Sequence, residues 1–355
     1  MRVLQIIDSL HPGGAERMAV NIANGLQDKV EFSALCTTRE EGLLKDRLKP
    51  GVGYLFANRT GKIGISGFLR VHRFIKKHAI THIHAHSTSI FTGWILKLLR
   101  PHLVFIWHDH YGNADFLQNR PKRFLKLMCK KTDSVIVVNR KLLQWAQKNR
   151  LGNKIFFLAN FAKAEVSNKK QSQLIPGIEG KRLVCLANLR PQKNQLLLID
   201  VWEKIQERYA DWDLLLVGKC FGDDYEQQVR ASIETKQLSQ SIHILGSRTD
   251  VDDILNKSTI GVLSSISEGL PLALLEYGLA GLPVVVTDVG ACREVVQDKG
   301  ILVKPNSHPE LQNALMELMD HPELHSQYGN GLKERVDLHY SEKNYLTELL
   351  QIYQV

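Results

Sequence analysis

The feature that most constrains this chain is an alternation, met twice, of short β-branched or apolar runs with segments of helical periodicity. In the first half the runs are Val3 to Ser9, Glu31 to Thr37, Tyr54 to Ala57, His82 to His86, Leu103 to Trp107, Ser134 to Val138 and Ile155 to Leu158. In the second they are Leu183 to Leu186, Asp213 to Val217, His243 to Leu245, Ile260 to Leu263, Pro283 to Thr287 and Ile301 to Val303. Strands that alternate with helices form parallel sheets, because a parallel pair needs a long crossover and the helix supplies it. A chain of 355 residues also exceeds one ordinary core and divides into about two domains. The polar segment from Lys163 to Lys181 carries Ser, Asn, Gln, Pro and Gly without an apolar period, and we place the boundary there. The expected fold is therefore α/β, with two Rossmann-like, doubly wound parallel sheets over residues 1–163 and 176–335 and a last helix from Tyr345 to Tyr353. Open parallel sheets bind ligands beyond the carboxyl ends of their strands, so function is sought in the post-strand loops and in a cleft between two such domains.

Composition excludes several classes. With 44% hydrophobic and 23% charged residues the chain is globular rather than disordered or fibrous. No apolar run approaches the roughly 20 residues of a bilayer-spanning helix, and Met1-Arg2 leads directly into a strand-length run, too short for the apolar region of a signal peptide. Five scattered cysteines, Cys36, Cys129, Cys185, Cys220 and Cys292, suggest neither a disulfide framework nor a zinc site. A cytoplasmic protein is expected. The net charge of +9 is uneven: residues 1–160 hold 26 Lys+Arg against 10 Asp+Glu, whereas residues 161–355 hold 20 against 27. A basic half implies an anionic partner such as phosphorylated substrates, phospholipid head groups or nucleic acid.

The densest motif follows the run Ile260 to Leu263. Ser264-Ser265-Ile266-Ser267-Glu268-Gly269-Leu270-Pro271 leads into a helix from Leu272 to Ala280 that stops at Gly281-Leu282-Pro283. Pro271 suits the first helical turn and Gly281 the C-terminal cap. The N–H groups near Gly269, Leu270, Pro271 and Leu272, with the positive end of the helix dipole, form an anion site suited to a diphosphate. Glu268 and Glu276 bracket that helix start, and a carboxylate there suits a ribose diol. The spacing of the two glutamates alone would describe a solvated helix surface equally well. Arg190 and Lys193 follow the first strand of the second half. Two cations in a loop are ordinarily solvated, yet a guanidinium fork and an ammonium point charge also suit a departing diphosphate. Gly13-Gly14 follow the first strand without the spacing of a dinucleotide fingerprint; they permit close backbone approach by a ligand, or make a plain tight turn.

The string from Ser265 through Glu268-Gly269-Leu270-Pro271 to Glu276, then Ala280-Gly281-Leu282-Pro283-Val284-Val285 and Gly290 to Arg293-Glu294, resembles the signature of the retaining GT-B glycosyltransferases of family 4, the glycosyl transferases group 1 family. His11-Pro12-Gly13-Gly14-Ala15-Glu16-Arg17 is similar to that family's Gly-Gly-Ala-Glu loop, and Asn188 to Asn194 to its Arg-x-x-Lys segment. The resemblance spans nearly the whole chain and is weakest between Asn58 and Ile80. It implies transfer of a hexosyl unit from a nucleotide-diphosphate sugar to an acceptor hydroxyl, with retention. Under it Arg190 and Lys193 stabilise the leaving diphosphate, Glu268 and the backbone of Gly269 to Leu272 contact sugar and phosphates, Glu276 holds the ribose, and Gly13 and Gly14 lie near the donor. It also implies a glycan or lipid-linked acceptor, cell-surface polysaccharide or lipopolysaccharide as product, no metal or other cofactor, and a final segment over residues 338–355 that returns to the first domain.

The family places a histidine at the strand end near the sugar; His108 is the preferred match, with His110 as the alternative and His86 as a candidate in the acceptor site. His82, His84 and His86 alternate on one strand face, which invites a metal reading, but no third type of ligand is obvious. The segment Arg120 to Lys131 places Phe124, Leu127 and Met128 on one helical face and Lys122, Arg123, Lys126 and Lys130 elsewhere. A packed apolar side with a solvated basic face is the expectation. With Arg70, Arg73, Lys76 and Lys77 it offers a second one, a peripheral contact with anionic lipid on the inner face of the cell membrane. Two other functions use the same features. A sugar-nucleotide epimerase shares the two-domain cleft, and a non-catalytic polyanion binder would use the basic half, although no aromatic-basic motif for nucleic acid is present.

Overall fold

Every strand pair in both halves is parallel, and each half arranges its strands so that the order reverses once. The computed structural model describes residues 1–61, 64–163 and 174–354, so most of the expected boundary segment, residues 164–173, lies outside the described residues. Two units emerge, one of residues 1–161 with 342–355 and one of residues 162–341.

The first unit runs β1 (Arg2–Ser9), α1 (Gly14–Leu26), β2 (Phe32–Glu40), β3 (Gly53–Phe56), α2 (Ile65–Lys77), β4 (His82–His86), α3 (Ile90–Leu99), β5 (Val104–Asp109), α4 (Arg123–Cys129), β6 (Ser134–Val137), α5 (Arg140–Asn149) and β7 (Ile155–Phe157). Its sheet order is β3-β2-β1-β4-β5-β6-β7. Both faces of a parallel sheet are covered by crossover helices, so its strands are apolar throughout rather than alternating. Leu4, Ile6, Ile83, Ala85, Phe105 and Trp107 fill one face, and Ile7 and Leu35 pack with Ala19, Val20 and Ala23 of α1 on the other. Polar residues interrupt that second face at Gln5, His84, His86 and His108, all fully buried.

The second unit runs β8 (Arg182–Leu186), α6 (Gln195–Ile205), β9 (Asp213–Val217), α7 (Asp224–Thr235), β10 (Ile242–Gly246), α8 (Val251–Asn256), β11 (Ile260–Leu263), α9 (Leu272–Leu279), β12 (Val284–Thr287), α10 (Cys292–Val296), β13 (Ile301–Val303), α11 (His308–Asp320) and α12 (Glu323–His339). The last helix, α13 (Glu342–Tyr353), belongs to the first unit, where it meets α1. Gly25 permits that approach: a Cβ there would stand 2.6 Å from Leu346 Cδ1.

The second sheet has the order β10-β9-β8-β11-β12-β13, so the chain turns back between β8 and β11. These two strands pair only at Leu183 with Ile260 and Val184 with Gly261 before they diverge. Tyr277 of α9 fills the fork. Its hydroxyl accepts from the Leu186 N–H at 2.7 Å and stands 3.1 Å from the Val184 carbonyl and 3.2 Å from that of Val262. Gly261 makes room for the ring, since a Cβ there would lie 2.7 Å from it.

Three local details differ from the pattern read in the sequence. Pro271 stands just before α9 rather than in its first turn, with φ −72° and ψ 120°, because its extended backbone turns the Gly269-Leu270 segment into the helix. Gly281 closes the helix at φ +69°, a left-handed residue that glycine adopts without strain. Strand β5 continues past Trp107 because His108 pairs with His86 on one side and Ile136 on the other, which places His108 inside the sheet. On α4, Met128 is buried, but Phe124 is 54% and Leu127 48% exposed. The packed side of α4 is carried by Leu125, Met128 and Cys129, with Phe124 only partly covered through its ring contacts with Phe91 and Trp94 and Leu127 left outward.

Replacing Tyr277 with Phe leaves the Leu186 N–H at the fork without its partner. The expected loss is about 1–3 kcal/mol, the penalty of an unsatisfied polar group away from water, read as a lower midpoint in urea unfolding. A Tyr277→Phe protein of undiminished stability would show that the hydroxyl does not hold the fork.

Candidate functional site

The point where strand order reverses in an open parallel sheet is where post-strand loops separate and admit a ligand. In the second unit those loops follow β8 and β11, and hydrogen bonds stitch them together. The Ile266 N–H donates to the Gln192 carbonyl at 2.8 Å, and the Ser264 hydroxyl to the carbonyls of Lys193 and Asn194 at 3.0 and 3.1 Å. Lys193 and Glu268 consequently face one another: the ammonium reaches both carboxylate oxygens, at 2.6 and 2.7 Å, and the Ser265 hydroxyl donates to one of them at 2.6 Å. Glu268 is only 3% exposed. A carboxylate that deep is costly without a cation and hydrogen bonds at hand, and both are supplied.

Gly269, Leu270, Pro271 and Leu272 follow, all buried at the start of α9, and Glu276 lies part-buried one turn into the helix. The loop after β12 supports this segment. Gly290 has φ +57°, and a Cβ on it would collide with the Glu268 carbonyl; next to it the Ala291 N–H donates to the Gly269 carbonyl at 3.0 Å. Arg190 is exposed, and its guanidinium lies 4.2 Å from the Phe221 ring centre, with the Lys219 ammonium 5.2 Å from the same ring. Lys219 and Phe221 escaped the sequence reading. The available signal was their position just after β9, beside the Asn188 loop, where the Asn188 side chain accepts from the Lys219 N–H at 2.8 Å. The result is three cations on adjacent post-strand loops ahead of a helix N-terminus, an arrangement suited to phosphate oxygens.

In the first unit the order reverses between β1 and β4. Gly13 caps α1 in extended conformation, and a Cβ on Gly14 would meet nothing within 4 Å, so the backbone is open to approach there. Asp8, also absent from the sequence reading, ties the loops at this end: it accepts from Thr38 at 2.5 Å and from Thr88 at 2.6 Å, with Arg59 3.9 Å away.

His86, His108 and His110 come together next to this switch point, joined by His84. The His108 and His110 ring centres are 3.9 Å apart, and those of His84 and His86 4.5 Å. His86 Nδ1 meets His110 Nε2 at 3.0 Å and its Nε2 meets Gln5 Oε1 at 2.9 Å; Tyr353 bonds both Gln5 and His84. His108 is fully buried, whereas His110 is half-buried. Burial pushes all four imidazoles below their ordinary 6.5, His84 and His110 to about 3. His82, the third histidine on β4, turns instead to the Tyr353 carbonyl at 3.1 Å.

Comparison with known proteins now has a geometry to explain. The family described as Glycosyl transferases group 1 matches residues 166–335, and the one described as Glycosyltransferase Family 4 matches residues 12–163. The chain belongs to the GT-B glycosyltransferases of this group 1, family 4 type. It is an enzyme that transfers a glycosyl group. An uncharacterized glycosyltransferase of Haemophilus influenzae is 24% identical over 324 residues, 89% of each chain. A UDP-Gal:alpha-D-GlcNAc-diphosphoundecaprenol alpha-1,3-galactosyltransferase of Escherichia coli is 31% identical over 142 residues, 38% of this chain and 35% of the relative. Among solved structures, Anabaena HepE in complex with UDP and glucose superposes with a TM-score of 0.81 at 18% identity, over 99% of this chain and 98% of that one, a likeness of fold.

The depressed histidines give stability a definite pH dependence. A histidine held neutral in the folded state but free to protonate near 6.5 when unfolded supports folding fully above that pH and progressively less below it, until the folded-state value near 3 is reached. Each such ring should cost about 1.4 kcal/mol per pH unit below 6.5. Thermal midpoints measured from pH 7.5 to 4.5 should fall accordingly, and His84→Phe should flatten the slope. A midpoint independent of pH over that range would contradict the buried, neutral cluster.

Proposed function

We propose that this glycosyltransferase moves a hexosyl unit from a nucleotide-diphosphate sugar to a hydroxyl of a glycan or lipid-linked acceptor, with retention at the anomeric carbon, in the assembly of cell-surface polysaccharide or lipopolysaccharide. The observation that carries this reading is the buried Lys193–Glu268 pair at the switch point, with Arg190 and Lys219 beside it and α9 behind it. The UDP bound by the Anabaena neighbour and the lipid diphosphate acceptor in the name of the Escherichia coli relative support the same chemistry.

In this scheme an ammonium has three N–H groups, and Lys193 uses two on Glu268, so one is left for the leaving diphosphate. Arg190 and Lys219 add charge, and the start of α9 adds backbone donors at Gly269 to Leu272. As the bond from the anomeric carbon to the diphosphate breaks, these groups stabilise the charge that develops on the leaving oxygen. The acceptor hydroxyl bonds to the same face of that carbon, and its proton passes to the departing phosphate. Glu268 holds Lys193 in place and contacts the sugar, Glu276 holds the ribose, and Gly13 and Gly14 allow the donor to approach α1. His110 touches the sugar or acceptor, with His86 and His108 behind it. Departure of the diphosphate needs no metal or other cofactor, because cations and helix dipole serve in its place.

A thermal-shift screen over UDP-, GDP- and ADP-sugars should find one base class that raises the midpoint. With that donor, Arg190→Ala should lower kcat by roughly 10²-fold, the scale of losing one charge-stabilising donor, while the exposed position leaves the melting temperature unchanged. Full turnover by Arg190→Ala would remove Arg190 from the machinery. Donor converted to a different nucleotide sugar without acceptor would indicate an epimerase.

The first unit also supplies a surface for an anionic membrane. Leu69 on α2 and Phe124 and Leu127 on α4 are exposed apolar side chains, and α3 packs against both helices, so they share one face of the sheet. Around them stand exposed Arg73, Lys76, Lys77, Lys122, Arg123, Lys126 and Lys130. Apolar side chains within a basic field suit the boundary between head groups and acyl chains, at about 1 kcal/mol per basic residue near the surface. Among the described residues no helix is long and apolar enough to cross a membrane. In flotation with anionic vesicles the protein should rise at low salt, and the double change Phe124→Ser and Leu127→Ser should leave most of it at the bottom. Protein wholly in the soluble fraction at low salt would refute the contact.

A further inference from the structure

Four ring nitrogens in the histidine cluster are buried and without a hydrogen-bond partner among the described residues: His84 Nε2, both nitrogens of His108, and His110 Nδ1. A buried polar atom without a partner is destabilising, and one cluster holding four of them calls for a physical cause. A nitrogen from each of His84, His86 and His108 lies within 4.8 Å of the others. We infer that His84, His86 and His108 form a binding site for a borderline transition-metal ion of the zinc or cobalt kind, in the first unit and apart from the diphosphate chemistry of the second.

Several observations converge on it. Two imidazoles on one tetrahedral ion, each about 2.0–2.1 Å from it, have nitrogens roughly 3.4 Å apart by that geometry, so the rings need only close by about an ångström. All three sit on strands, His84 and His86 on β4 and His108 opposite His86 on β5, which fixes their spacing through the sheet register. A metal needs an imidazole nitrogen with a bare lone pair, and His84 Nε2 and both nitrogens of His108 are buried with no hydrogen-bond partner among the described residues. Imidazole sets suit zinc, cobalt, nickel and copper; magnesium and calcium require oxygen ligands, and the cluster offers none from a carboxylate.

The surrounding hydrogen bonds fit as well. The Gln5 amide donates to the Tyr353 hydroxyl at 3.2 Å, and its carbonyl oxygen accepts from His86 Nε2 at 2.9 Å. That leaves His86 Nδ1 with a bare lone pair, which His110 Nε2 approaches at 3.0 Å and which an ion would take in its place. Tyr353 lies 2.7 Å from His84 Nδ1. With the proton on Nδ1 and donated to the Tyr353 oxygen, Nε2 of His84 presents its lone pair to an ion, the arrangement by which outer partners orient metal-bound histidines. Helix α13 thereby reaches the cluster through one side chain.

The test uses the full chain, free of any histidine tag, stripped with chelator and titrated with Co²⁺. The expected result is one equivalent bound with the intense visible absorption of low-coordinate cobalt, displaced stoichiometrically by Zn²⁺. His84→Phe and His108→Phe should abolish that band, Tyr353→Phe should weaken binding about 10–100-fold, and His321→Gln, at an exposed histidine, should change nothing. Should the cluster variants fail to fold, Zn²⁺ but not Mg²⁺ should still raise the thermal midpoint of the unaltered protein in a saturable way. A weak, water-like cobalt spectrum with no such rise, or a band that survives His84→Phe, would overturn the site and leave buried water as the partner of these nitrogens.

Discussion

Both sheets are governed by a geometric necessity: when strand order in a parallel sheet reverses, the two central strands send their crossovers to opposite sides, and the loops beyond them part. In the second unit this parting is severe, since β8 and β11 share only two paired positions. Backbone groups that a neighbouring strand would otherwise satisfy must find other partners. Tyr277 supplies them from below, and Ser264, Ile266 and the Lys193–Glu268 pair close the loops above. The group that mends the sheet and the groups we assign to the donor are therefore contiguous, and α9 connects them: it carries Tyr277 into the fork and follows directly on the Glu268 segment. Gly290 completes the support by letting the next loop pass against the Glu268 carbonyl.

The first unit meets the same necessity with different chemistry. There Asp8 gathers Thr38 and Thr88 from the flanking loops, and Gln5 and histidines interrupt the aliphatic face of the sheet beneath. Such a lining is costly in a core, and its polar atoms are only partly satisfied. Natural structures break the local rule of an apolar interior chiefly where a site requires it. The opposite charges of the two halves fit the same division: the basic half carries exposed cations on α2 and α4 as well as the exposed Leu69, Phe124 and Leu127.

Much of this was legible in the order of residues. Strand positions followed from apolar runs, because a strand covered on both faces has little choice of composition. The loops after β8 and β11 were legible in the motifs Arg190 to Lys193 and Ser265 to Glu276, each continuous along the chain. Lys219 and Phe221 were not legible, because a single lysine after a strand carries no spacing signal. His84 was seen beside His86, yet its third partner, His108, stands 24 residues beyond His84 and joins it only through the register of β4 with β5. The apolar side expected for α4 held for Met128, held in part for Phe124, which lies against Phe91 and Trp94 yet stays exposed, and failed for Leu127, since periodicity ranks faces of a helix but does not say how much of a short helix the neighbours cover.

By itself, then, the sequence determined the two parallel sheets, their post-strand loops and the family signature, because hydrophobic periodicity and contiguous motifs are local properties. Only the tertiary structure decided which cations share an aromatic ring, that Lys193 spends its charge on Glu268, and that four histidines and Tyr353 from the far end of the chain meet in one buried cluster. Those outcomes depend on strand order and register, which bring together residues that no local spacing relates.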